Sequence, residues 1–136
     1  MKFCKSLFFA LAFSSLVACG VNPATGERQF AGLMPPAQEA KVGAGEHEKI
    51  EEQFGFYDDA KLNAYVTEVG KRVTSNTERP DVQYKFFVLD SPMVNALSLP
   101  GGYIYVSRGL LALANDESEL AAVLSHETGH ITGRHS

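Results

Sequence analysis

Apolar residues recur with the spacing of an α-helix in the region that follows Asp58. They are spaced by 3, 1, 3 and 4 positions and form one stripe, and most of the positions between them are polar or charged. The members of the stripe are Leu62, Tyr65, Val66, Val69 and Val73. The pattern predicts an amphipathic helix, and a more polar helix is predicted before it, from Ala37 to about Phe54.

A period of two residues replaces this spacing between Val82 and Leu89, where the alternation of side chains predicts a β-strand. Two further apolar runs flank Gly101 and Gly102. A Gly-Gly pair in that position predicts a β-hairpin whose turn has positive φ angles. Pro100 beside the turn suits an edge position because proline donates no ladder hydrogen bond.

Two capping patterns predict the last helices. Ser107 can cap a short helix through Ala114, and Asp116 followed by Glu119 is a variant of the capping box at the start of a final helix. The predicted order is therefore α, α, β, β-hairpin, α, α. This order indicates an α+β fold in which helices pack on a small sheet.

The N-terminus has the pattern of a secretory signal, with a cationic start and an apolar run from Leu7 to Val17. This run is shorter than the roughly 20 residues that span a bilayer. The residues before Cys19 resemble a bacterial lipobox, which implies a signal peptide at residues 1–18 and a lipid on Cys19. The lipid would anchor the protein to the bacterial membrane, and Gly20 after the cysteine implies the periplasmic face of the outer membrane. Residues 19–35 are expected to be a tether.

Composition and charge exclude several classes of protein. Of the 136 residues, 45% are hydrophobic and 21% are charged, which is typical of a globular domain rather than a disordered or multi-span membrane protein. The formal net charge is −4 and there is no basic block, so no nucleic-acid partner is expected. The two cysteines, Cys4 and Cys19, are assigned to the signal and the lipid, so no disulfide is expected.

The segment His126-Glu127-Thr128-Gly129-His130 carries the chemistry. Two histidines four positions apart lie about 40° apart on one helix face, so both imidazoles can reach one metal ion. Glu127 is rotated by about 100° from His126, where it can accept a proton from a metal-bound water. This is the H-E-x-x-H arrangement of zinc hydrolases.

Continued to Arg134-His135-Ser136, this segment resembles the active-site helix of zinc metallopeptidase family forty-eight. Residues 95–106 are similar to the strand before that helix, and residues 22–29 are similar to the periplasmic lipoprotein branch of the family. The resemblance implies a zincin-like fold, with residues 36–136 forming the N-terminal part of a domain that looks truncated at its C-terminus. It implies one zinc ion held by His126 and His130, with Glu127 as the general base.

The implied activity is that of a zinc-dependent endopeptidase on misfolded cell-envelope proteins, through Glu-assisted attack of zinc-bound water. In zincins an edge strand pairs with an extended polypeptide substrate. The candidates for this contact are Asn95, Ala96, Leu97, Gly101 and Gly102. The alternative is a core hairpin that does not touch the substrate.

A catalytic zinc site keeps three protein ligands, and this segment supplies two. The resemblance implies that the third ligand is a Glu on a later helix, beyond Ser136. One alternative is that His135 serves as the third ligand through a bend at Gly133. The other is a catalytically incomplete lipoprotein scaffold or chaperone-like module.

Two further residues, His47 and Arg134, are predicted to have less specific roles. His47, between Glu46 and Glu48, is expected on a solvated helix face rather than at a metal ion. Arg134 is expected to pair either with a substrate carbonyl or with an acidic side chain of the same chain.

Overall fold

The computed structural model describes residues 34–134 and, ahead of them, one short β ladder. In this ladder β1 (Gly20–Val21) pairs antiparallel with β2 (Arg28–Gln29), within the segment predicted to be a tether. The predicted signal peptide and the predicted lipidation site, Cys19, lie outside the described residues. No helix in the described part of the chain has the length and apolar character needed to cross a membrane.

Four helices and three strands make up residues 34–134. In chain order they are α1 (Pro36–Phe54), α2 (Ala60–Thr74), β3 (Lys85–Leu89), β4 (Ala96–Leu99), β5 (Tyr103–Ser107), α3 (Arg108–Leu113) and α4 (Glu117–Gly133). The order predicted from the sequence and the α+β class are both confirmed. The predicted strand at Val82 begins later, because the Val82 N–H donates to the carbonyl of Arg79 in a turn.

The sheet has the strand order β3-β5-β4. The predicted hairpin is confirmed, because β4 and β5 are antiparallel and the φ angles of Gly101 and Gly102 are 81° and 97°. Strand β3 pairs in parallel with β5, an arrangement that no local pattern predicted. Strand β5 therefore lies in the centre, and all five of its residues are buried.

Helices cover both faces of this sheet. On one face α2 and α4 pack against alternate residues of β3 and β5, in a core formed by Val66, Val69, Phe86, Val88, Ile104, Val106, Leu120, Leu124 and Ile131. On the other face a second cluster contains Leu89, Tyr103 and Tyr105, with Ile50 and Phe54 of α1 packed against it. Because helices lie on both sides, the alternate faces of β3 and β5 are both apolar.

Helix α2 begins where the sequence predicted. The Asp59 carboxylate accepts hydrogen bonds from the backbone N–H groups of Lys61 and Leu62, which satisfies two donors at the helix start. Most of the predicted stripe faces the core, but Tyr65 is 39% exposed and lies at its edge.

Candidate metal centre

Helix α4 is fixed at its start and along one side. The Asp116 carboxylate accepts from the N–H groups of Ser118 and Glu119, while the Glu119 carboxylate accepts from the N–H of Asn115. The reciprocal contact of the capping box therefore falls one residue earlier than in the usual motif. Leu120 and Leu124 are buried in the core, and they precede the two histidines on the helix. Their packing determines which side of α4 faces the core and therefore the direction in which the histidines point.

The two histidines of α4 converge as the four-residue spacing predicted. The Nε2 atoms of His126 and His130 lie 3.1 Å apart, and the two rings meet edge to face with centroids 4.6 Å apart. Two nitrogens bound at 2.0–2.1 Å to one tetrahedral zinc ion are separated by about 3.3 Å. The donor atoms thus fit a shared zinc ion, and the exposed His126 leaves the site open to solvent on that side.

Glu127 lies beside the histidine pair but faces the sheet. Its side chain offers a carboxylate oxygen within 4.8 Å of the donor nitrogens of His126 and His130. The residue is only 7% exposed, and its Oε2 accepts a hydrogen bond of 2.9 Å from the Oγ of Ser98 on β4. The general-base candidate is therefore located between the two histidines and the edge strand.

The C-terminal end of α4 is tied to α1 by a buried ionic cluster. Arg134 ends the helix in the left-handed conformation, with a φ of 54°, and its Nε lies 3.3 Å from Glu39 Oε1. Glu39 Oε2 accepts a hydrogen bond of 2.9 Å from Arg79, which is 1% exposed and also contacts Asp81 through two nitrogens. Of the two partners expected for Arg134, the structure places an acidic side chain of the same chain beside it.

Hydrogen bonding within this cluster shifts two pKa values. The hydrogen bonds from Arg79 hold the pKa of Asp81 below its usual range. The hydrogen bond to Asp81 in turn raises the pKa of Arg79, so both side chains stay charged at neutral pH. The cluster is thus an ionised structural support at the base of the histidine helix.

Strand β4 has one free edge among the described residues, because it pairs only with β5. Two of the substrate-strand candidates, Ala96 and Leu97, lie on β4, and Asn95 immediately precedes it. The other two candidates form the turn, where they pack against their own chain. A Cβ on Gly102 would lie 2.4 Å from the carbonyl oxygen of Gln83, and one on Gly101 would lie 2.9 Å from the Cα of Ala40.

His47 does not lie on a solvated face, so that expectation was wrong. Its ring stacks on Phe56 and lies within 4.8 Å of the Tyr103 ring centroid, and its Nδ1 is 2.7 Å from the Tyr105 hydroxyl. It belongs to an aromatic cluster between α1 and the sheet, which contains Phe56, Phe87, Tyr103 and Tyr105. Among the described residues, the grouping able to hold a metal consists of His126, Glu127 and His130 and does not include His47.

His135 and Ser136 lie outside the described residues, so the use of His135 as a third ligand stays a prediction. Ser98 and Glu39 were not among the predicted site residues, and they contact Glu127 and Arg134, respectively. Of these two residues, only Ser98 could have been found from a local pattern, since the alternation of side chains along β4 places Ser98 on the face opposite to Leu97.

The fold and this donor set define an α+β protein in which a helix with two convergent histidines, able to hold a metal ion, packs beside an edge strand. The sequence profile described as Peptidase family M48 matches residues 60–136. This match covers more than half of the chain, so the chain belongs to Peptidase family M48, and the resemblance inferred from its motifs is confirmed.

Three relatives illustrate the extent of the similarity. Mitochondrial metalloendopeptidase OMA1 of Schizosaccharomyces pombe is 42% identical over 72 residues, covering 53% of this chain and 21% of the relative. Beta-barrel assembly-enhancing protease of Yersinia pestis is 28% identical over 143 residues, covering 93% of this chain and 29% of the relative. The protein of the same name from Escherichia coli K12 is 28% identical over 98 residues, covering 72% and 20%. The chain spans less than a third of the length of these relatives.

Proposed function

We propose that this chain carries the histidine helix and the substrate strand of a zinc-dependent endopeptidase in the bacterial cell envelope. The observation that supports this most directly is the 3.1 Å separation of the His126 and His130 Nε2 atoms, with Glu127 beside them. Membership of Peptidase family M48 supports the same conclusion. A third protein ligand is needed to complete a catalytic zinc site, and we propose that it is a Glu on a later helix of the full-length protein.

The proposed roles follow from the positions of the side chains. His126 and His130 would hold the ion, which when bound supplies polarisation of the scissile carbonyl and acidification of the attacking water. Glu127 would accept the proton of that water and deliver it to the leaving amine, since it lies between the histidines and β4. Burial keeps bulk water away from the carboxylate while its far side faces the strand.

The free edge of β4 is the proposed binding surface for the polypeptide. An extended peptide can add to such an edge through main-chain hydrogen bonds, which read no particular sequence. Met93 and Val94, just before this strand, are 65% and 60% exposed and offer apolar contacts to an unfolded chain. We therefore propose unfolded or incompletely assembled envelope proteins as substrates, and the name of the Yersinia and Escherichia relatives suggests outer-membrane β-barrel proteins among them.

Glu127→Gln tests the activity in the full-length protein. We expect the variant to bind zinc as the wild type does and to lose cleavage of an unassembled β-barrel protein by at least about 100-fold. Glu117→Gln is the matched control, because Glu117 lies at the start of the same helix and pairs with Arg72 on the surface. Cleavage by Glu127→Gln at the wild-type rate would show that the base is assigned incorrectly. Wild-type protein that binds zinc only weakly and cleaves nothing would instead favour the scaffold alternative, which lacks the third metal ligand.

The membrane anchor is a second part of the proposal and has its own test. A lipid on Cys19 would hold the domain on the periplasmic face of the outer membrane. Cys19→Ser should remove incorporation of labelled palmitate and release the protein from membranes without detergent. Incorporation of label into the variant would contradict lipidation at this residue.

A further inference from the structure

Ser98 joins the edge strand to the proposed general base. It lies opposite Ile104 in the β4–β5 register, and Ile104 is buried in the core between the sheet and helices α2 and α4. Ser98 therefore faces α4, and its Oγ donates a hydrogen bond of 2.9 Å to Glu127 Oε2. The neighbouring residue, Leu97, packs against the aromatic cluster on the opposite face of the sheet.

This hydrogen bond determines which of the two carboxylate oxygens of Glu127 accepts a hydrogen bond from the protein. Glu127 is 7% exposed, so a charged carboxylate there needs a donor from the protein in place of lost water contacts. Within residues 34–134 the donor is Ser98, and it is bound to Oε2. Oε1 is then the oxygen left to receive a proton from the attacking water.

We propose that Ser98 is a positioning residue for Glu127, which holds the carboxylate in the orientation needed for proton transfer. The inference rests on the proposed function, since it assumes that Glu127 is the base. A glutamate side chain has several rotatable bonds, and a displacement of about 1 Å from the productive geometry can reduce a rate by up to about 100-fold. The bound peptide would pair with the free edge of β4, the strand that contains Ser98. The hydrogen bond from Ser98 to Glu127 therefore also fixes the distance between the base and the bound peptide.

The first experiment separates positioning from binding. In the full-length, zinc-loaded protein, we expect Ser98→Ala to lower kcat by about 10-fold with KM unchanged, because only the orientation of the base is disturbed. Ser98→Thr keeps the hydroxyl and should restore most of the loss. Ser75→Ala is the matched control, since Ser75 is exposed at the end of α2 and donates to the carbonyl of Arg72. A wild-type kcat in Ser98→Ala, or a loss that Ser98→Thr does not restore, would overturn the proposal.

The second experiment needs no activity and no metal. In the metal-free protein, Ser98→Ala and Glu127→Ala should each speed hydrogen exchange in Ala96–Leu99 several-fold, and the double variant should exchange no faster than the faster single variant. This result is expected because both changes remove one shared hydrogen bond. Fully additive effects would show that the two side chains are not coupled, which would also overturn the proposal.

Failure of this inference and failure of the proposed function give different results. An inactive Glu127→Gln together with a wild-type rate in Ser98→Ala removes only the positioning role. An active Glu127→Gln removes both, because there is then no base at residue 127 to position. Zinc affinity of Ser98→Ala should stay within about twofold of wild type, because the substitution removes a hydrogen bond to Glu127 and leaves both histidine side chains in the protein.

Discussion

Glu39 near the start of α1 lies 3.3 Å from Arg134 at the C-terminal cap of α4. The helix that carries the two histidines is therefore tied at its end to the first helix of the domain. Glu39 is 7% exposed and also accepts a hydrogen bond from Arg79, which is 1% exposed. A single carboxylate thus neutralises charge from two arginines at the C-terminal end of α4, the helix that carries the two histidines.

We expect Glu39→Gln to lower the free energy of unfolding of this domain by about 3 kcal/mol, because loss of one partner leaves buried arginine charge uncompensated. Hydrogen exchange of amides in α1 and β5 measures this change in the full-length protein. Glu46→Gln is the control on the same helix, since Glu46 pairs with Lys49 on the surface, and it should not change the exchange rates. Equal effects of the two substitutions would mean that the buried cluster contributes nothing specific.

Neighbouring glycines of α1 should respond to alanine in opposite directions. A Cβ on Gly43 would lie 1.9 Å from the carbonyl oxygen of Pro100, whereas one on Gly45 meets nothing within 4 Å. Gly43→Ala must push α1 away from the hairpin turn, and we expect a loss of about 2 kcal/mol in the free energy of unfolding. Gly45→Ala should instead add about 0.5–1 kcal/mol through helix propensity. Thermal unfolding of both variants measures the contrast, which would disappear if α1 did not pack on the turn.

Much of the candidate site could be predicted because its signals are local. The spacing of His126 and His130, the cap at Asp116 and the Gly101-Gly102 turn each depend on residues only a few positions apart. These patterns gave the order of the elements and the face of α4 that carries the histidines. They are properties of a helix or a hairpin and do not require the rest of the fold.

The features that could not be predicted depend on contacts between distant segments. The parallel pairing of β3 with β5, the ion pair between Glu39 and Arg134 and the hydrogen bond from Ser98 to Glu127 are all of this kind. His47 shows the reason clearly. Its neighbours in sequence are charged, but its ring lies among aromatic side chains from three other segments, and these only meet in the folded chain.

Zinc binding should depend on both histidines of α4 and not on His47. We expect His130→Ala in the full-length protein to weaken zinc binding by more than about 100-fold, because the variant lacks a proposed ligand, and loss of a group that only hydrogen-bonds a ligand already costs about 10–100-fold. Competition with a chromogenic chelator measures the affinity. His47→Gln is the control, since its ring contacts Phe56 and Tyr105 and lies in the aromatic cluster. A loss of zinc in His47→Gln, or none in His130→Ala, would contradict the assigned ligands.

The domain should lose stability in alkaline solution through two tyrosines, of which Tyr105 is buried and Tyr84 is partly buried. Burial raises the pKa of Tyr105, and burial also raises the pKa of Tyr84. Because the pKa of each tyrosine is higher in the folded state, its contribution to the free energy of unfolding is complete below the unfolded pKa of about 10. This contribution is lost as the pH rises above that value. The free energy of unfolding should therefore fall above about pH 10.

Tyr105→Phe tests this assignment. The variant should show a shallower decline of the free energy of unfolding between about pH 9 and about pH 11, since one of the titrating tyrosines is absent. At neutral pH it should be less stable by about 1 kcal/mol, because the hydrogen bond to His47 is lost. An unchanged slope in Tyr105→Phe would exclude this tyrosine as a contributor.

If a substrate adds to the free edge of β4, its backbone amides should matter with a period of two residues. Along an added strand, alternate N–H groups point toward the neighbouring strand and the others point away. Ala96–Leu99 spans four residues, so two amides of a bound peptide would face it. We expect N-methylation at those positions to weaken binding to zinc-loaded Glu127→Gln by at least about 10-fold, while methylation at the intervening positions has little effect. Fluorescence anisotropy with a labelled peptide measures both series. A loss that is the same at every position would indicate that the peptide is held by its side chains and does not pair with β4.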